Sequence, residues 1–274
     1  MTTIHVSHDN KKSLNQDIPV ADLHTREEFT HDGYRQFLRN IKAAGYDFCD
    51  FRAGHERLRA DPSERIIFLR HDIDFDMQAA ADMARIEHEE GAMASYFFML
   101  RTAHYNIFTP ENMRSLEIIQ SLGHAVGLHF DCAAYENLNT KGKIQYYCNR
   151  EAQLLSSYTD RKIEVVSFHR PNELVLSSDA DLTHPLLHSY ASFFYKDIKY
   201  CSDSRGVWRY GHPLDTPDFK AGKPLHLLIH PVWWTKNPQM PLDALKAYAD
   251  RKDDELRASM AANCIVFPYK GVNE

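Results

Sequence analysis

The apolar positions along this chain recur with two periods, and together they predict alternating strands and helices. After Thr30, the residues Tyr34, Phe37, Leu38, Ile41 and Ala44 fall at helical spacing and stop at Gly45, which predicts a first amphipathic helix. Ile66-Ile67-Phe68-Leu69 is a short unbroken apolar run followed at once by charged residues, the pattern of a strand covered on both faces in a parallel sheet. A helix over 76–90 closed by Gly91, a strand over 94–99, and a helix over 110–122 with Pro110 in its first turn and Gly123 after its end come next. The alternation goes on with strands at 125–128 and 165–168 around a helix within 143–158, a strand at 225–229, and a last amphipathic helix over roughly 242–262. Between 172 and 223 the pattern fails, and only 191–195 reads as a strand.

Repeated βα units joined by right-handed crossovers give an open doubly wound sheet or a closed barrel. No GxGxxG or Walker loop follows any of the strands, which weakens a nucleotide-binding sheet. Residues 1–28 are polar without periodicity and are expected to form an extended arm, leaving 29–274 as a single catalytic α/β domain. A chain of 274 residues suits that arrangement, because an α/β barrel of about 250 residues is one domain.

Composition narrows the function. With 43% hydrophobic and 26% charged residues the chain is ordinary globular material, which argues against disorder. A balance of 32 basic against 38 acidic residues, with no basic stripe, argues against nucleic acid as a partner. The polar start, Met1 to Asn10, and the lack of any long apolar run predict no membrane span and a cytoplasmic protein. The five cysteines are scattered and lack CxxC spacing, so neither a disulfide framework nor a thiolate zinc site is expected, and they read as small buried hydrophobes. The 16 histidines are the one surplus, and they direct attention to a metal or acid–base site.

Four predicted strands end alike. They run into Arg70-His71-Asp72-Ile73-Asp74, His129-Phe130-Asp131, His169-Arg170-Pro171 and His230-Pro231-Val232-Trp233-Trp234. In parallel α/β architectures the C-terminal strand ends share one crevice, so these four segments are expected to converge. Asp and His are the usual ligands of a borderline divalent cation such as zinc and the usual acids and bases near neutral pH. Three protein ligands with an open position would make a catalytic site, machinery for hydrolysis. If the strand continues, Asp72 and Asp74 point the same way, and two such carboxylates can divide labour between metal binding and proton transfer.

These residues resemble the polysaccharide deacetylase superfamily, the NodB-homology carbohydrate esterases. The Asp-x-Asp motif is matched by Asp72-Ile73-Asp74, and the Gly-His-x-x-Gly-x-His segment by Gly123 to His129. The Arg-Pro motif is matched by Arg170-Pro171, the late Asp-and-Trp segment resembles Asp203 and Trp208, and Leu-x-x-His is matched by Leu227 to His230, all in the family's order. The resemblance spans about 66–234 and implies a distorted (β/α)7 barrel that removes an N- or O-acetyl group from a sugar, with a divalent metal, zinc first, as cofactor and a small-molecule or glycan substrate. It implies Asp72 as general base, Asp74 and His129 as metal ligands, Arg170 as the group that holds the base, and His230 as general acid. The family's further histidine, four residues after the first metal histidine, is replaced here by Ala133. His169 is expected to fill the gap, with Asp131 in reserve. This substitution resembles a branch with His-Asp-x-Asp and His-Arg-Pro motifs associated with surface-polysaccharide biosynthesis.

Plainer roles stand beside these. Asp76 is suited to cap the following helix. His129, His169 and His230 could each be packed strand-end histidines, and His124 reads as structural. His71 either orients a carboxylate or packs. Trp233 and Trp234 suit a core, although an aromatic beside His230 could stack on a sugar ring. The run Arg251 to Glu255 reads as a solvated helix face. Two other functions share the pattern: hydrolysis of a non-sugar amide or formamide on the same barrel, and a non-catalytic carbohydrate-binding barrel.

Overall fold

A computed structural model describes residues 28–209 and 211–267; the expected arm, apart from Glu28, lies outside the described residues. Its helices and strands are α1 (His31–Ala43), β1 (Asp47–Cys49), α2 (Phe51–Ala60), β2 (Ile66–Ile73), α3 (Met77–Glu90), β3 (Ser95–Phe98), α4 (Pro110–Ser121), β4 (Ala125–Asp131) and α5 (Lys141–Ser156). Then follow β5 (Val165–His169), α6 (Glu173–Ser177), β6 (Leu187–His188), α7 (Ser192–Tyr195), β7 (Lys199–Ser202), α8 (Pro217–Lys220), β8 (Leu225–Ile229) and α9 (Pro241–Asn263).

The ends of these elements are set by local chemistry. Thr30 caps α1 through Gly33, Asp76 caps α3 through Gln78 and Ala79, and Thr109 caps α4 with Pro110 in the first turn, each side chain satisfying amides that a helix start leaves unpaired. Gly91 ends α3 at a φ of 63°, a left-handed conformation that favours glycine. Asp76 is thus the helix cap the sequence suggested, and its other oxygen pairs with Arg251.

All strand pairs are parallel, in the order β6-β5-β4-β3-β2-β8-β7, with β1 pairing the start of β2. The end strands β6 and β7 are not hydrogen-bonded to each other, so the barrel is incompletely closed. The sheet is nonetheless curled. Tyr190, just after β6, lies with its ring centroid 5.5 Å from the Arg70 guanidinium of the central strand, and Tyr200 of β7 at the opposite edge interacts with the same cation. The expected distorted (β/α)7 barrel is therefore present as a curled, seven-strand parallel sheet.

Alternation along β2 separates two interiors. Ile67, Leu69 and Ile73 belong to the main core shared with α1 and α3. Ile66 and Phe68 face a second cluster with Cys49, Phe51, Phe97 and Phe194, which fills the bottom of the barrel. Each of the buried Ile, Leu and Phe side chains among these contributes about 1.5–3 kcal/mol of transfer free energy. Above that floor the inward positions turn ionic, with Arg70, then Asp72, then Asp74. Gly127 of β4 belongs to the floor: a Cβ there would stand 2.4 Å from the Phe97 ring.

One expected element is corrected. Residues 191–195 are not a strand; Ser192–Tyr195 is a helical turn, α7. Asp179 accepts hydrogen bonds from both Ser192 N and Ser192 Oγ, at 3.0 Å each, and Phe194 plugs the barrel against Phe51 and Phe68. A short apolar run cannot be assigned by periodicity alone, and here the cap and the packing decide it. Of the cysteines, Cys49, Cys132, Cys148 and Cys201 are buried and free, whereas Cys264 is exposed. Among the described residues no helix is long and apolar enough to cross a membrane.

Candidate active site

Strand β2 extends to Ile73, four residues past its apolar run, so the inward face carries Arg70 and Asp72 in line, with Asp74 on the turn above. Arg70 is buried and grips Asp72 with two hydrogen bonds, Nε to Oδ1 at 2.8 Å and Nη2 to Oδ2 at 2.7 Å. Burial opposes charge on Asp72, but the Arg70 guanidinium outweighs it and holds the carboxyl below its ordinary range.

Asp74 is the meeting point. His129 Nε2, from β4, lies 3.1 Å from its Oδ1, and His169 Nδ1, from the end of β5, lies 3.3 Å from the same oxygen. His230 Nε2, just past β8, is 3.9 Å from its Oδ2. Burial works against the Asp74 charge, but the imidazoles of His129 and His169 overcome it and hold the group well below the usual carboxylate range. For His169, burial lowers the pKa while the hydrogen bond and charge of Asp74 raise it further, so it moves up.

One carboxylate oxygen and two imidazole nitrogens, from Asp74, His129 and His169, lie within 4.8 Å of one another. That donor set, one oxygen and two nitrogens on three rigid strand ends, fits a divalent cation of the zinc type. His169 stands where a third ligand could bind, whereas Asp131 is not part of the cluster. Asp131 accepts from Arg170 Nε at 3.0 Å, makes a second, shorter contact with Arg170 Nη2, and caps Ala133.

His230 is held by Asp203, which accepts from its Nδ1 at 2.7 Å and from its main-chain N–H. Trp234 Nε1 donates to the second Asp203 oxygen at 2.9 Å. Burial opposes charge on His230, but Asp203, Asp74 and Asp72 outweigh it and raise its pKa to about 9. An imidazolium with Nδ1 tied back and Nε2 facing the cluster is placed to give up a proton there.

Several expected roles are relocated. Arg170 does not hold Asp72; Arg70 does, and Arg170 is engaged with Asp131 in a backbone conformation of φ 49°. Trp208 stands back from the cluster, packed on Phe29, Phe37 and Trp234, and donates to Glu28. Trp233 is buried in the core near Gly206. His71 faces the other side of β2, between Glu87 at 2.6 Å and the Ile229 carbonyl at 3.1 Å. His124 bonds main-chain atoms of Ala84 and Ala94, the structural role expected of it.

The sequence reading missed Ser167 and the grip of Arg70. Both carry a signal in strand alternation: Ser167 lies two residues before His169, and Arg70 two before Asp72, so each shares its neighbour's inward face.

No family model matches the chain, and no curated protein matches it. Among solved structures it is similar to the Streptococcus pyogenes deacetylase PplD in complex with acetate, at 12% identity and a TM-score of 0.43 over 79% of this chain and 85% of that one. It is also similar to a family 4 carbohydrate esterase from Bacillus anthracis, at 15% identity and a TM-score of 0.41 over 80% of this chain and 86% of that one. A third, BA3943, a CE4 family pseudoenzyme from Bacillus anthracis, has 12% identity and a TM-score of 0.41, with 69% of this chain covered and 62% of the pseudoenzyme, under two thirds of its length.

Proposed function

We propose that this protein is a metal-dependent amide hydrolase that removes the N-acetyl group from an amino sugar or sugar conjugate. The observation that carries the reading is the Asp74, His129 and His169 cluster, flanked by a separate carboxylate, Asp72, and a separate imidazole, His230. The order of the sequence motifs that resemble polysaccharide deacetylases supports the choice of an acetylated sugar over other amides.

A divalent cation held by Asp74, His129 and His169 would supply Lewis acidity and lower the pKa of a neighbouring water. Asp72 is the proton acceptor, through Oδ2: Oδ1 takes two hydrogen bonds, from Arg70 Nε and Ser167 Oγ, whereas Oδ2 takes one, from Arg70 Nη2, and lies 3.5 Å from His129 Nε2, on the side of the cluster. His230 delivers the proton that the departing nitrogen needs, from Nε2, while Asp203 keeps Nδ1 in place. The products are acetate and a free amino sugar.

The test is acetate and formate release by metal-loaded protein from a panel of N-acetylated amino sugars and simple amides. Acetate release from the sugars, reduced by about 10²–10⁴-fold in Asp72→Asn, is expected. Formate release from simple amides alone would replace the sugar substrate, and normal turnover by Asp72→Asn would remove Asp72 as the base.

A further inference from the structure

Ser167, in the middle of β5 and fully buried, has a hydroxyl between two groups with different tasks. Its Oγ is 3.1 Å from Asp72 Oδ1 and 2.6 Å from His129 Nδ1. A hydroxyl has one proton to give. Asp72, gripped by Arg70 on both oxygens, is an ionised carboxylate and can only accept, so the Ser167 proton goes to Asp72 Oδ1. Ser167 must then accept from His129, which places a proton on His129 Nδ1. His129 Nε2, the nitrogen that faces Asp74 3.1 Å away, is then the ring position left for a cation, which would take the place of any proton shared there with Asp74.

That arrangement opposes what the two groups would do alone. A neutral imidazole beside a carboxylate gains most by donating Nε2–H to it, and that tautomer cannot bind a cation through Nε2. We propose that Ser167 is a positioning residue that fixes His129 in its Nδ1-protonated tautomer, with Nε2 open to the cation, and spans the base and the ligand with one hydroxyl. The proposal rests on the metal-hydrolase reading for its purpose, but its geometry concerns only Ser167, His129 and Asp72. Removing the hydroxyl would leave a buried His129 Nδ1–H without a partner in its present tautomer, and the ring would turn over to the Nε2–H form.

The experiment compares the full chain with Ser167→Ala and Ser167→Thr in two measurements. The first is Zn²⁺ affinity by competition with a chromophoric chelator. The second is the His129 tautomer in the metal-free proteins, read from histidine ¹⁵N shifts at alkaline pH. The wild type and Ser167→Thr are expected to carry the proton on Nδ1. Ser167→Ala is expected to carry it on Nε2 and to lose about 10- to 100-fold in Zn²⁺ affinity, the usual effect of removing a partner that orients a ligand. An Nε2–H tautomer in the wild type, or equal Zn²⁺ affinity in wild type and Ser167→Ala, would overturn the proposal. A wild-type protein that takes up no Zn²⁺ would overturn the metal-hydrolase reading instead, and the tautomer measurement would still decide the part played by Ser167.

Discussion

Arg70 and Asp72 sit two residues apart on one strand and close a bidentate pair inside the barrel, with neither side chain more than 4% exposed. A buried pair of this kind is costly to break, because the remaining charge keeps its desolvation penalty without its partner. Arg70→Met is therefore expected to lose about 3–5 kcal/mol of stability, measured by urea unfolding. The double variant Arg70→Met with Asp72→Leu should recover much of that loss while remaining inactive. Equal stability of the single and double variants would show that the pair does not carry the effect.

Much of this arrangement was legible before the structure. The β2, β4, β5 and β8 runs are short and apolar, end abruptly in Asp or His, and so betray both the sheet and the face on which the site lies. His169 was accessible for the same reason, since it ends β5 level with Asp131 of β4. What escaped depends on side-chain reach. Arg170 and Arg70 both stand near a carboxylate in sequence, and only the fold shows that Arg170 turns to Asp131 while Arg70 lies along the barrel axis beside Asp72. The segment 172–223 was opaque because its elements are too short to show a period: β6 has two residues, and α7 is a single turn fixed by Asp179 from outside it.

Gly127 shows how a motif residue can be explained by packing. An alanine there would place its Cβ 2.4 Å from Phe97 Cε1 and 3.0 Å from the Val165 carbonyl, and the backbone on that side cannot yield as a flexible side chain would. Gly127→Ala is expected to lose about 1–3 kcal/mol by thermal unfolding, the usual range for overpacking a filled core. Because Arg70 lies over the same Phe97 ring, at 5.8 Å from its centroid, the displaced ring would also disturb the Arg70 grip on Asp72. A second change, Phe97→Leu, should restore part of the stability in the Gly127→Ala background and cost stability alone. Additive effects would show that the two positions do not compete for space.

The His230–Asp203 pair sets the expected pH behaviour. Burial lowers the His230 pKa, the surrounding carboxylates raise it more, and the result is about 9, above the ordinary 6.5. The protonated ring therefore favours the folded, metal-free protein fully below about pH 6.5, and that contribution is lost as the pH rises through about 9. If His230 is the proton donor, kcat should fall on the alkaline side as the same proton leaves. Asp203→Asn removes the nearest charge and is expected to move that alkaline limb to lower pH, with the His230 ring resonances following in an NMR titration. A limb that stays in place in Asp203→Asn would assign it to another group.

Cation binding at Asp74, His129 and His169 should appear as stability, because a ligand that binds only the folded chain shifts the unfolding equilibrium by mass action. At a hundredfold excess over the dissociation constant the gain is about 2.7 kcal/mol, which for a chain of this size corresponds to a Tm increase of roughly 5–10 °C. Chelation should reverse it. Without the cation, Asp74 keeps its two imidazole neighbours, so the chelated protein is expected to remain folded rather than collapse, as a small structural zinc domain would. His129→Ala and His169→Ala should each abolish the increase and lower the metal content measured by elemental analysis, whereas Asp131→Asn, which alters the pair with Arg170 and the cap on Ala133, should leave both intact. Unchanged metal content in the two histidine variants would sink the site, and loss of metal in Asp131→Asn would return Asp131 to the ligand set.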